Sequence, residues 1–145
     1  MLVYLDNSAL NRPFDDQTQP RIWLETLAVS LILQMTEAGE IELIKSPIHF
    51  LENNQSPLVV RRQWVEHCIQ LARNEATLDE TVKARAHELQ RGGLKPLDAL
   101  HAACAEAAGA SHFLTCDDRL IRRYAGQMAV LNPLAFVLQS SQQTL

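Results

Sequence analysis

Gly92-Gly93-Leu94-Lys95-Pro96-Leu97-Asp98-Ala99-Leu100-His101, an alanine-rich run to Ala108, and then Gly109-Ala110-Ser111-His112-Phe113-Leu114-Thr115-Cys116-Asp117-Asp118-Arg119-Leu120 decide how the chain folds. Two glycines followed by Pro96 open a new element, because proline is tolerated in the first turn of a helix. From Leu97 to Ala108 nothing breaks a helix, and alanine is its best former. Gly109 closes that helix, and the apolar run from Ser111 to Leu114 reads as a buried strand. Asp98 therefore falls in the first turn of a helix, and Asp117-Asp118 falls where the next strand runs out. An open α/β sheet gathers groups at such places into a cleft outside the carboxyl ends of its strands.

Working outward, Leu2-Val3-Tyr4-Leu5 is a short apolar run suited to a buried parallel strand, and it stops at the polar turn Asp6-Asn7-Ser8. After a loop ending near Pro20, the apolar spacing of Ile22, Leu24, Leu27, Ala28, Leu31, Ile32 and Met35 predicts an amphipathic helix over 21–38, ended by Gly39. Ile41 to Ile44 reads as a second strand. Ser46 then caps a helix with Pro47 in its first turn, carrying Glu52, and Asn53-Asn54-Gln55-Ser56-Pro57 interrupts it. Helical spacing returns over 58–72. Residues 74–78 connect, with room for a short extended piece, to a helix over 79–91 capped by Asp79. A short helix over 120–126 and a strand over 128–131 follow the opening stretch. Residues 139–145 read as a polar, frayed tail, leaving 1–138 as one domain. Short strands alternating with helices predict a three-layer α/β/α sandwich around a mainly parallel sheet of four to five strands.

With 145 residues, 47% apolar and 21% charged, the chain has the make-up of one soluble domain with a sizeable core. Its net charge of −4 gives no bulk signal for nucleic acid, although a local basic face or a bound metal can outweigh the average. Cys68, Cys104 and Cys116 form no Cys-x-x-Cys pair and read as reduced thiols. No apolar run is long enough to span a bilayer, and the folded pattern begins at Leu2 with no room for a signal peptide. A cytoplasmic location and no membrane partner are expected.

The carboxyl-end rule selects Asp6, the 46–52 segment and Asp117-Asp118 as rim groups, and Asp98 reaches the same rim. Carboxylates crowded at one edge raise each other's pKa unless a cation offsets them. Hard oxygen donors favour Mg²⁺ or Mn²⁺ over zinc. Such a site suits phosphodiester hydrolysis by a metal-activated water. No Ser or Cys nucleophile with a neighbouring base is evident, which disfavours covalent catalysis.

The segments Leu2-Val3-Tyr4-Leu5-Asp6-Asn7-Ser8, Ser46-Pro47-Ile48-His49-Phe50-Leu51-Glu52, Lys95-Pro96-Leu97-Asp98-Ala99-Leu100-His101 and Phe113-Leu114-Thr115-Cys116-Asp117, in this order, resemble the PIN-domain nucleases. The resemblance is to the VapC-like toxins of toxin–antitoxin pairs in particular. It implies that Asp6, Glu52, Asp98 and Asp117 are the catalytic and metal-holding residues for one or two Mg²⁺ or Mn²⁺ ions. Ser8 and Thr115 would support them through hydrogen bonds. It further implies an endoribonuclease acting on single-stranded or structured RNA, a small antitoxin that covers the cleft, and a homodimer. The chain departs from the family after Glu52, where the family commonly continues the helix.

Each acid also has a structural reading. Asp6 suits a helix cap, Asp98 a favourable first-turn charge, and of Asp117-Asp118 the second is expected to cap and the first to ligate. His101, three residues after Asp98, shares its helix face and reads as a packing residue or a support to a ligand. His49 is a weaker case of the same idea, and no His or Cys is spaced to complete a zinc site. Trp23 and Trp64 suit a core or an interface. Arg61-Arg62 and Arg119, Arg122 and Arg123 are solvated faces or contacts to RNA phosphates. A haloacid-dehalogenase-type phosphatase would need a second Asp after Asn7, and a receiver domain an acidic pair ahead of its acceptor strand. The remaining alternative is a catalytically silent PIN-like module that binds nucleic acid or a protein.

Overall fold

The computed structural model describes residues 1–143. The chain runs β1 (Leu2–Leu5), α1 (Asn7–Leu10), a 3-10 turn (Arg12–Phe14), α2 (Pro20–Glu37), β2 (Glu42–Lys45), α3 (Pro47–Asn53), α4 (Val59–Gln70) and β3 (Asn74–Glu75). It continues through α5 (Glu80–Arg91), α6 (Pro96–Ala107), β4 (His112–Leu114), α7 (Asp118–Arg123), β5 (Ala129–Leu131) and α8 (Pro133–Gln143). The five strands form one sheet in the order β3-β2-β1-β4-β5, and every pairing is parallel. The expected three-layer sandwich is the fold.

Successive strand residues point to opposite faces, and that alternation divides the core in two. Val3 and Leu5 of β1, Leu43 of β2 and Leu114 of β4 meet Val29 and Ile32 of α2, Val65 of α4 and Phe136 of α8. Tyr4, Ile44 and Phe113 point the other way, against Ile48 of α3, Leu89 of α5, the alanines of α6 and Leu120 of α7. Ala99, Ala102, Ala103 and Ala105 are buried, and their small side chains let α6 lie close to the rings of Tyr4 and Phe113. Between α5 and α6, Gly93 has φ +115°, and a Cβ there would come within 3.2 Å of Arg123 Cδ. Only glycine suits that turn.

The direction of α6 matters for the site. Just after α6, the Ser111 N–H donates to the Leu2 carbonyl at the start of β1. A twelve-residue helix is about 18 Å long. Its first turn, with Asp98, therefore lies toward the carboxyl ends of the strands.

Three expectations need correction. α2 does not bury one clean stripe: Ile22, Glu25, Ala28, Val29, Ile32, Leu33 and Thr36 are buried, while Leu24, Leu27 and Leu31 are exposed. Apolar residues lie on both its faces, so spacing alone could not choose between them. In place of a frayed tail from 139, α8 continues as helix to Gln143, and residues 144–145 lie outside the described residues. The third correction concerns Asp117 and Asp118.

Candidate active site

Asp6 follows β1 directly and caps α1: its Oδ1 accepts the Ala9 N–H at 3.0 Å and the Ser8 hydroxyl at 2.6 Å. The capping reading of Asp6 and its place on the rim are both true. Ser8 ties this turn to the exit of β4, because its Oγ accepts the Cys116 N–H at 3.1 Å and lies 3.2 Å from Thr115 Oγ1. Thr115 Oγ1 accepts the Asp117 N–H at 3.1 Å. The two hydroxyls expected to support the acids therefore knit the two central strand ends together. Asp117 is the cap of α7, its Oδ1 accepting from Arg119 N–H at 2.9 Å and Leu120 N–H at 3.3 Å. Asp118, expected to be that cap, instead pairs both oxygens with the Arg21 guanidinium of α2 at 2.7 Å.

Glu52 stands in the last turn of α3, where Asn53 ends the helix and the interruption after it begins. Its Oε2 is 2.7 Å from His101 Nε2, so the histidine one turn along from Asp98 reaches across to the acid of another helix. Burial pushes the His101 imidazole down to about 3; the ring is neutral and the contact is a hydrogen bond rather than an ion pair. His49 does separate work. Its Nδ1 accepts the Ser46 N–H at 3.0 Å, completing a capping box for α3. Its Nε2–H then donates to the Leu5 carbonyl at 2.7 Å.

The acids share one electrostatic field. Burial, then the charge of Asp98 after the hydrogen bonds that oppose it, leaves Asp6 raised to about 7. Burial first, then the charges of Asp117 and Glu52, lifts Asp98 to about 6, against the opposing pull of Lys95 and Arg119. Burial also raises Glu52. The charge of Asp98 thus acts on Asp6, and those of Asp117 and Glu52 act on Asp98. Among the described residues, no three His, Cys, Asp or Glu side chains converge closely enough to hold an ion as they stand. The donor set is nonetheless hard oxygen throughout, and its mutual repulsion is what a divalent cation would relieve, so the residues fit Mg²⁺ or Mn²⁺ in chemistry.

Sequence reasoning missed two buried groups. From the sequence, Tyr4 reads as a strand residue with no further role. It is wholly buried, stacked between Phe113 and His49 at centroid distances of 5.2 and 4.6 Å, with its hydroxyl 2.6 Å from both Ser46 Oγ and His101 Nδ1. A tyrosine among aliphatic strand residues was the available signal, since a buried phenol needs a partner. Glu25 lies buried on α2, held by Arg12 at 2.7 Å and by Asn132. Its place at helical spacing between Ile22 and Val29 was the clue.

The chain matches the PIN domain over residues 3–127 and belongs to that family. No curated protein matches it significantly. Among solved structures it is similar to FitAcB from Neisseria gonorrhoeae, at 20% identity and TM-score 0.56, covering 90% of this chain and 97% of that one. It is similar to VapBC2 from Rickettsia felis, solved bound to a DNA fragment from their promoter, at 14% identity and TM-score 0.60, covering 91% and 98%. PAE2754 from Pyrobaculum aerophilum aligns at 17% identity and TM-score 0.54, covering 98% and 91%. At these identities the likeness is one of fold.

Proposed function

We propose that this PIN-domain protein is a divalent-metal-dependent endoribonuclease whose site is built from Asp6, Glu52, Asp98 and Asp117. The observation that supports this best is geometric: the Glu52 carboxylate lies 2.7 Å from His101, one turn along α6 from Asp98, and Ser8 ties the turn that carries Asp6 to the exit of β4 that leads to Asp117. Asp6 and Asp117 each commit Oδ1 to the backbone, which orients the carboxylate and leaves the second oxygen to a cation. Glu52 commits Oε2 to His101 in the same way. When bound, Mg²⁺ or Mn²⁺ supplies Lewis acidity, which acidifies a water and offsets charge at the attacked phosphate. Lys95 and Arg119, whose charges reach Asp98, draw the phosphodiester to the rim.

The reading extends to a toxin of a toxin–antitoxin pair, located in the cytoplasm, with a small antitoxin and a homodimeric state. The VapBC2 neighbour supports the VapC-like assignment. Association is supported by exposed apolar side chains: Trp23, Leu24, Leu27 and Leu31 on α2, and Leu58, Val59 and Val60 at the start of α4. A second reading, a catalytically silent binding module, draws on the lack of three converging ligand side chains among the described residues.

The deciding experiment incubates purified protein, freed of any co-purifying partner, with RNA and Mg²⁺ or Mn²⁺. Cleavage that EDTA abolishes, and that Asp98→Asn lowers by at least about 100-fold with an unchanged circular dichroism spectrum, is the expected result. Intact RNA under those conditions would pass the function to the silent module. In cells, expression of the wild-type chain should arrest growth and Asp6→Asn should not; equal growth would sink the toxin assignment.

A further inference from the structure

Glu52 is held differently from Asp6 and Asp117, whose carboxylates accept backbone N–H groups. It projects from the end of a seven-residue helix, with its side chain 35% exposed. Among the described residues a single group holds its carboxylate, His101 Nε2, and Oε1 is left without a partner. The imidazole is itself fixed: it is 1% exposed, and its Nδ1 lies 2.6 Å from the Tyr4 hydroxyl. That hydroxyl is 2.6 Å from Ser46 Oγ, which accepts the Ile48 N–H at 3.2 Å.

The proton positions follow from one end of this chain. An ionised carboxylate only accepts, so Nε2 of His101 carries the proton and Nδ1 accepts from Tyr4. The Tyr4 oxygen then accepts from the Ser46 hydroxyl, whose own oxygen accepts from the backbone. The bonds run in one direction from the first turn of α3, through β1 and α6, back to Glu52 on the last turn of α3. The stacking of Tyr4 between Phe113 and His49 keeps the middle of the chain from rotating.

We propose that His101 is a positioning residue for Glu52: Tyr4 sets the tautomer and orientation of the imidazole, and the imidazole holds Oε2 so that Oε1 is the oxygen offered to a cation. This rests on the nuclease reading above. A residue that only filled the core would move stability without acting through Glu52.

The test titrates the full-length chain with Mn²⁺ by calorimetry, with thermal unfolding as the control for folding. His101→Leu should weaken Mn²⁺ binding about 10- to 100-fold, as expected when the partner of a ligand is lost. Glu52→Gln should weaken it too, and adding His101→Leu to Glu52→Gln should weaken it no further. His101→Gln, whose amide can still donate to Glu52, should recover most of the affinity. Tyr4→Phe keeps the ring stack and removes only the hydroxyl, so it tests the same path if His101→Leu fails to fold; it should cost about 3- to 10-fold. Equal losses in the wild-type and Glu52→Gln backgrounds, or no loss at all, would overturn the proposal while leaving the nuclease reading intact. Wild-type protein that binds no Mn²⁺ would overturn both.

Discussion

Asp6 is 3% exposed and, mainly through burial, holds its proton up to about pH 7. In the unfolded chain an aspartate releases that proton near pH 4. Between those values the folded state binds a proton that the unfolded state has lost, so this group's contribution to stability falls as pH rises from about 4 to 7. Asp98, raised to about 6, works in the same direction. The acids that would serve the chemistry therefore weaken the fold at neutral pH when no cation offsets them. In EDTA the melting temperature should drop between pH 5 and pH 8, and Mn²⁺ should raise it more at pH 8 than at pH 5.5. Asp6→Asn retains an oxygen for Ser8 and Ala9 and removes the charge, so it should flatten that drop and melt several degrees higher than wild type at pH 8. A wild type and an Asp6→Asn form whose melting curves differ equally at every pH would contradict this account.

At the scale of elements, α2 shows where local pattern is insufficient. Glu25 lies on its buried face because Arg12, from the 3-10 turn, reaches it with two nitrogens at 3.0 and 2.7 Å. Removing one partner of a buried pair leaves a charge without compensation. Arg12→Ala should cost about 2–3 kcal/mol in urea unfolding, below the usual range for such losses because Arg21 and Asn132 still touch the carboxylate. Replacing Arg12 and Glu25 together by apolar residues should cost less than Arg12→Ala alone. α3 was legible: Ser46, Pro47 and the break after Glu52 set its bounds, and Ser46→Ala should cost about 2–3 kcal/mol, because the helix loses its cap and the buried Tyr4 oxygen loses its donor. The cap of α7 was not legible. Two adjacent aspartates are equivalent to local rules, and Arg21, 97 residues away, takes Asp118 and leaves the cap to Asp117.

At the scale of the molecule, a net charge of −4 would repel RNA as a whole, so the proposed RNA binding would have to rest on local cations. Arg12, Arg21 and Arg85 are occupied by acids, whereas Lys95 and Arg119 make no ion pair among the described residues and lie within electrostatic reach of Asp98. RNA affinity should fall steeply with salt, and Lys95→Ala with Arg119→Ala should flatten the slope of log affinity against log salt by about two charges' worth. An unchanged slope in the double variant would place the phosphate contacts elsewhere, for instance at Arg61-Arg62.

By itself the sequence determined the alternation of short buried strands with helices, the turns at Gly and Pro, most helix caps, and the placing of Asp6, Asp98 and Asp117 at element ends. These are consequences of side-chain period and backbone chemistry acting over a few residues. The tertiary structure alone decided which face of α2 turns inward, which aspartate caps α7, that Glu25 is buried, and that Tyr4 and His101 lead to Glu52. Those outcomes depend on contacts such as His101 to Glu52, 49 residues apart, and Tyr4 to His101, 97 apart. A hydrogen bond across that separation is set by how layers pack, and no local periodicity encodes it.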